Sequence, residues 1–256
     1  MRKLVAVLWD FDGTIVSSLR KNFSITKKIM AEVHEDYKTE AALPDPLKDF
    51  EEYKKVSSKA KNWRDLYMQH FNLTSEETTK AGNLWGTYQE KDQTPVEVFD
   101  GLADFINALS YVPHGICSQN SSKFISKKLE EDKIDQHFRK IIGYDDISYD
   151  QQKPNPNGFL SCIDQFPEKI NSGIILYIGD HEQDVVFAKN AQIAFAKRGE
   201  TDIEVISIAA NYESCADLSH WAEKPNHTAN EVSDLYAIAE KYSDAPVRIQ
   251  KTTLKF

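Results

Sequence analysis

Cysteine is scarce in this chain: three residues in 256, at Cys117, Cys162 and Cys215. Their number is odd, they lie far apart, and no two form a C-x-x-C pair. That excludes a disulfide framework and a thiolate zinc site, and it suits a reducing compartment. None of the seven histidines has a metal-ligand partner at helical spacing, which argues against zinc chemistry of any kind. An excess of positive charge is missing too. Lys plus Arg number 31 against 40 Asp plus Glu, a formal net charge of −9, so nucleic acid finds no general electrostatic footprint. A local basic pocket for a small anion stays open, because net charge does not describe one cleft. No apolar stretch approaches the ~20 residues that span a bilayer. The run Leu4–Trp9 behind Met1-Arg2-Lys3 stops at Asp10, too short for a secretory signal. The expectation is a cytoplasmic protein with no membrane or nucleic-acid partner and no signature of an oligomeric state. Internal repeats and low-complexity blocks are also absent.

What is present is an ordinary globular composition, 41% apolar and 28% charged, long enough for one large domain or two modest ones. Short apolar runs alternate with helical patterns, which predicts βα units around a parallel sheet. The predicted strands are Leu4–Trp9, His114–Cys117, Lys140–Ile142, Ile174–Ile178 and Val205–Ala209. The predicted helices are Gly101–Leu109, Ser122–Glu131, Asn157–Gln165, Glu182–Asn190 and Ser233–Tyr242. From Ser17 to about Gln93 the rhythm breaks and only helical segments appear. Asn62–Phe71 carries Trp63, Leu66, Tyr67 and His70 at helical spacing. Thr74-Ser75-Glu76-Glu77 then reads as a capping box opening the next helix. The expected fold is α/β, a Rossmann-like three-layer core (residues 1–16 and 95–256) with an inserted all-helical cap (residues 17–94) over the sheet's carboxyl edge.

Chemistry concentrates at strand ends. The run Leu4–Trp9 ends in Asp10-Phe11-Asp12-Gly13-Thr14, and burying a strand end beside two carboxylates is costly unless a cation or a reaction requires it. The string D-x-D-G-T arises by chance about once per 10^5 positions. An Asp-rich turn or helix cap is the plain alternative. Ser118-Gln119-Asn120-Ser121-Ser122 follows the next strand, where hydroxyl and backbone N–H donors at a helix start suit a phosphate; ordinary capping would use the same residues. Lys153-Pro154-Asn155-Pro156 offers an ammonium in a non-helical loop, though such a stretch is ordinarily just a loop. Finally Gly179-Asp180-His181-Glu182-Gln183-Asp184 again ends a buried strand in acids, a donor set that suits Mg²⁺, and Asp184 is also favourable at a helix start without any metal.

The order and spacing of these four segments resemble the haloacid dehalogenase superfamily of aspartate-nucleophile hydrolases, C1-capped and similar to its phosphoglycolate phosphatase and β-phosphoglucomutase branches. The match runs from Asp10-Phe11-Asp12-Gly13-Thr14 through Ser118 and Lys153-Pro154 to Gly179-Asp180 with Asp184. His181 departs from the small hydroxyl residue common there, and Gln119 intervenes between Ser118 and Asn120. The resemblance implies that Asp10 is the nucleophile, Asp12 the acid and base, and Lys153 a catalytic cation. It implies phosphate contacts from Thr14, Ser118, Gln119 and Asn120. It further implies Mg²⁺ on Asp10, the Asp12 carbonyl, Asp180 and Asp184. Asp12 points away from the dehalogenase, phosphonate-cleaving and transport-ATPase branches, which lack this acid. The implied activity is hydrolysis of a small phosphorylated metabolite through an aspartyl-phosphate. The alternatives are a β-phosphoglucomutase-like phosphotransferase and a non-catalytic phospho-ligand-binding protein. In the cap, Arg20, Lys21, Trp63, Tyr67 and Trp85 are candidates to face substrate; packing for the aromatics and a solvated surface for the two cations are the favoured readings.

Overall fold

In the computed structural model, residues 3–213, 217–244 and 246–248 are described. In chain order the elements begin with β1 (Leu4–Trp9), β2 (Val16–Ser17), α1 (Leu19–Val33), α2 (Phe50–Lys59), α3 (Trp63–Asp65) and α4 (Ser75–Lys91). They continue with β3 (Glu97–Val98), α5 (Leu102–Ala108), β4 (His114–Cys117), α6 (Ser122–Glu131) and β5 (Phe138–Ile142). The last are α7 (Asn157–Asp164), β6 (Gly173–Gly179), α8 (Glu182–Lys197), β7 (Ile203–Ala210), β8 (His227–Ala229) and α9 (Asp234–Glu240). The chain divides into two compact units. One takes the described residues through Val16 and those from Val98 onward; the other takes Ser17–Glu97, with Asp217 grouped beside it.

In the first unit the sheet runs β5-β4-β1-β6-β7-β8, with every pairing parallel. The chain builds outward from β1 to β4 and β5, then returns to the other side of β1 for β6, β7 and β8. The carboxyl end of β1 is therefore the switch point where open α/β sheets bind ligands. Register sharpens this. Trp9 is level with Ile116 on one side and Ile178 on the other, so Asp10 lies one step short of Ser118 and Asp180.

Strand alternation sends Ala6 and Leu8 to one face of β1, where they join Phe159, Tyr177, Phe187 and Phe195 in a core cluster. Those rings meet edge-on or tilted at 5.2–6.0 Å, as aromatic quadrupoles prefer. Trp9 faces the other way onto Phe105 of α5, 6.0 Å between centroids. Its indole N–H donates to His114 Nδ1 at 3.0 Å, and His114 Nε2–H donates to the Leu109 carbonyl at 3.2 Å. A proton on Nδ1 would confront the indole N–H, donor against donor.

Burial holds the His114 ring down to about 4, with the Leu109 carbonyl pulling weakly the other way. The unfolded chain binds this proton near pH 6.5. Stability from the neutral ring is therefore complete above that pH and is lost as pH falls toward 4. Between pH 7.5 and pH 5 the native protein should lose about 2 kcal/mol more than His114→Gln in urea unfolding. Equal pH slopes for the two proteins would remove this assignment.

The second unit is helical and carries its own core: Ile25, Ile29, Tyr53, Tyr67, Phe71 and Ala81, with Trp63 and Trp85 packed against it. The Thr74–Glu77 capping box starts α4 as the sequence indicates. Where the spacing predicts one helix over Asn62–Phe71, the structure has the single turn α3 followed by a π-helical turn, Leu66–His70. Tyr67 and Phe71 are both buried in this core. Arg20 is exposed, as the sequence reading favours, whereas Lys21 is not. The Arg20 guanidinium lies 4.2 Å over the Phe50 ring, and buried Lys21 donates to the Asp92 carbonyl at 2.5 Å. Asp92 is buried, yet donors from Lys28 (2.6 Å), Ser24 (2.7 Å) and the Thr94 N–H (2.8 Å) hold its carboxyl below the usual range.

Candidate active site

Asp10 follows β1, and its N–H donates to the Ile178 carbonyl at 2.8 Å, which extends the sheet by one residue. The chain then turns sharply. Gly13 sits at φ +71°, its N–H donating to the Val16 carbonyl at 2.8 Å. A side chain at Gly13 would land on the Asp180 carboxylate, and one at Gly179 on the Asp184 carboxylate. Two glycines thus leave the room that brings distant acids together.

Asp10, Asp180 and Asp184 each offer an oxygen within 4.8 Å of the others'. Lys153, preceding a cis Lys153-Pro154 bond, reaches Asp10 Oδ1 and Asp184 Oδ1 at 2.7 Å each. Burial raises the Asp10 carboxyl to about 7; Lys153 opposes the rise, and Asp184 and Asp12 add to it. Burial, then the charges of Asp10 and Asp184, push Asp180 well up. Burial works against the Lys153 ammonium, but the two carboxylates outweigh it and its value rises. Three ionised carboxylates would hold more negative charge than one lysine offsets, and without a further cation burial and mutual repulsion hold Asp10 and Asp180 toward their neutral forms. Hard carboxylate oxygens crowded in this way fit a divalent cation such as Mg²⁺.

Several supporting residues carry no sequence signature. Tyr177 donates its hydroxyl toward Asp184 Oδ1 (3.1 Å) and the Cys117 carbonyl (3.3 Å). Gln183 and Asn190 of α8 donate to the carbonyls of Lys153 (3.0 Å) and Pro154 (2.9 Å), clamping that loop from the helix. His181 accounts for its own departure from the family pattern: it caps α8, Nδ1 accepting from the Gln183 N–H at 3.3 Å, while its backbone N–H donates to Asp184 Oδ2 at 3.1 Å.

Ser118 is buried just past β4, its N–H donating to the Ile142 carbonyl at 3.0 Å, and Gln119 is exposed. Ser121 caps α6, accepting from the Phe124 N–H at 3.2 Å. Buried Asn120 donates from Nδ2 to Asp12 Oδ2 at 2.8 Å. Thr14 is fully buried and its hydroxyl meets no partner. The structure thus gathers Asp10, Lys153, Asp180 and Asp184 into one cluster and joins Asp12 to the Ser118–Ser121 turn.

The chain is similar to several known proteins. Phosphoglycolate phosphatase 1 of Pseudomonas aeruginosa is 29% identical over 131 residues, 50% of this chain and 47% of that protein. Pyrophosphatase PpaX of Bacillus mycoides is 23% identical over 250 residues, 93% of this chain and 98% of its own. A solved Lactobacillus plantarum protein, provisionally named a phosphoglycolate phosphatase, shares the fold at a TM-score of 0.71. It is 15% identical, over 93% of this chain and all of that one. Among the described residues no helix is long and apolar enough to cross a membrane. The profile described as haloacid dehalogenase-like hydrolase matches residues 7–197, the stretch that carries every acid of the cluster, and the chain belongs to that family.

Proposed function

We propose that this protein is a Mg²⁺-dependent phosphatase that hydrolyses a small phosphomonoester through a covalent aspartyl-phosphate. One observation carries the reading: Asp10, Asp180 and Asp184 meet around Lys153 at the switch point of the sheet. The names of the Pseudomonas and Bacillus relatives point the same way. The full-length match to a pyrophosphatase favours a phosphoanhydride as the second substrate class.

In this mechanism Asp10 attacks phosphorus and the P–O bond to the alcohol breaks; Asp12 passes its proton to the departing oxygen. Water then attacks the aspartyl-phosphate as Asp12 takes its proton, releasing phosphate and restoring Asp10. Lys153 holds Asp10 in place and, with Ser118 and the Gln119 N–H, is suited to the phosphate oxygens as charge redistributes. Asp10, the Asp12 carbonyl, Asp180 and Asp184 would hold the cation. When bound it supplies positive charge that screens the repulsion between carboxylate and phosphate.

The test is phosphate release from p-nitrophenyl phosphate with Mg²⁺ and with EDTA. Chelation is expected to lower the rate at least ~100-fold, restored by added Mg²⁺. Equal rates in the two buffers would refute the cation dependence, and no release in either would refute the phosphatase.

A further inference from the structure

We propose that Asn120 is a positioning residue that fixes which oxygen of Asp12 carries the transferable proton; the inference rests on the phosphatase reading above. Two bonds lock the Asn120 amide. Its Nδ2 donates to Asp12 Oδ2 at 2.8 Å, and its Oδ1 accepts from the Ser121 N–H at 2.8 Å. Flipping the amide would set an oxygen against the carboxylate and an NH₂ against an N–H, so both neighbours forbid it. The backbone is held as well: the Asn120 N–H donates to Ser118 Oγ at 3.2 Å, and its carbonyl accepts from the Tyr144 N–H at 3.0 Å. The residue is buried.

An amide NH₂ can only donate. Asp12 Oδ2 therefore presents a lone pair toward Asn120 and cannot carry a proton there without a donor–donor clash. A carbonyl oxygen accepts better than a hydroxyl oxygen, so the Asn120 contact favours Oδ2 as the carbonyl and Oδ1 as the site of the acid's proton. In the first step that proton moves from Oδ1 to the ester oxygen as the P–O bond breaks and the Asp10–phosphorus bond forms, leaving Asp12 as the carboxylate. In the second, Oδ1 receives the proton of the attacking water as the bond from Asp10 to phosphorus breaks. Asn120 reaches the reaction only through Asp12. The shared turn also couples it to Ser118, so acid and phosphate contact are set by one piece of backbone.

Leaving-group dependence separates this role from a structural one. kcat/KM covers the steps through departure of the first product, which is where the acid acts. p-Nitrophenolate departs readily without a proton, whereas phenolate from phenyl phosphate, nearly the same shape, needs one. Asn120→Asp is isosteric and keeps an acceptor for Ser121 while removing the donor to Asp12; Asn120→Ala removes both contacts. In each variant the ratio of kcat/KM for p-nitrophenyl phosphate to that for phenyl phosphate is expected to rise at least ~10-fold. The ratio is independent of how much of a preparation is folded. In an Asp12→Ala background, where the acid is already gone, the same substitutions should leave the ratio where Asp12→Ala put it.

An unchanged ratio in both single variants, with the unsubstituted protein active on both esters, overturns the assignment of Asn120 alone. No phosphate from either ester by the unsubstituted protein overturns the phosphatase reading and this inference with it.

Discussion

Asp10→Asn is expected to lower kcat/KM for a phosphomonoester by about 10^4-fold or more while leaving the fold at least as stable in EDTA. The activity half follows from chemistry: an amide has no anionic oxygen to bond phosphorus, so no covalent intermediate forms. The stability half follows from the cluster. Asp10 is buried, and its carboxyl is pushed up to about 7, by burial first and then by Asp184 and Asp12 against the pull of Lys153. Ionising it costs the native state free energy above that pH, and an isosteric amide avoids the cost. Lys153 keeps its partner in Asp184, 2.7 Å away. The measurements are phosphate release, urea unfolding in EDTA at pH 8, and the mass of acid-quenched protein after mixing with substrate. A phosphoryl adduct is expected on the native protein and not on Asp10→Asn. Residual activity above ~1% of native would rule out Asp10 as the nucleophile.

The sheet was legible because its strands announce themselves locally. Leu4–Trp9 and Ile174–Ile178 are apolar runs that end in acids, and β1 and β6 lie where those runs lie. The strand β8, His227–Ala229, is too short to carry a pattern and forms only because β7 offers an edge. The π-helical turn at Leu66–His70 reads on paper as plain helix, because the spacing of apolar residues over five positions does not separate the two. At the site, motif spacing identifies the acids but not their pairing. Lys153 meets Asp10 across 143 residues of chain and Asn120 meets Asp12 across 108. Read locally, Asn120 is one more polar residue at a helix start; only the fold turns its amide toward a carboxylate. Tyr177 reads as one apolar position of a buried strand, and its hydroxyl gains meaning when α8 brings Asp184 to it.

Lys153→Met should separate the structural and catalytic work of the lysine. The side chain is 6% exposed, bonds two carboxylates, and lies 5.4 and 5.5 Å from the ring centroids of Tyr177 and Phe187. Methionine conserves the stem and its aromatic contacts, so the change is chiefly the loss of one buried positive charge. Asp10, Asp180 and Asp184 are then left within reach of one another with no counter-ion among them. Breaking a buried pair on one side costs about 3–5 kcal/mol, and that loss is the expected result of urea unfolding in EDTA. Under the cation reading the same substitution removes a positive charge that repels Mg²⁺, so the variant should bind Mg²⁺ more tightly than the native protein. Millimolar Mg²⁺ should then restore more stability to the variant than it adds to the native chain, by the usual linkage of binding to folding. Activity should not follow. With no ammonium to hold Asp10 and meet the phosphate, kcat is expected to stay about 10^2–10^3-fold down even at saturating Mg²⁺. Calorimetric titration of Mg²⁺ measures the first effect and phosphate release the second. A variant as stable as native in EDTA, with no gain in Mg²⁺ affinity, would mean that Lys153 does not balance the acids. A cation that restored stability and rate together would make its charge, rather than its position, the whole of its contribution.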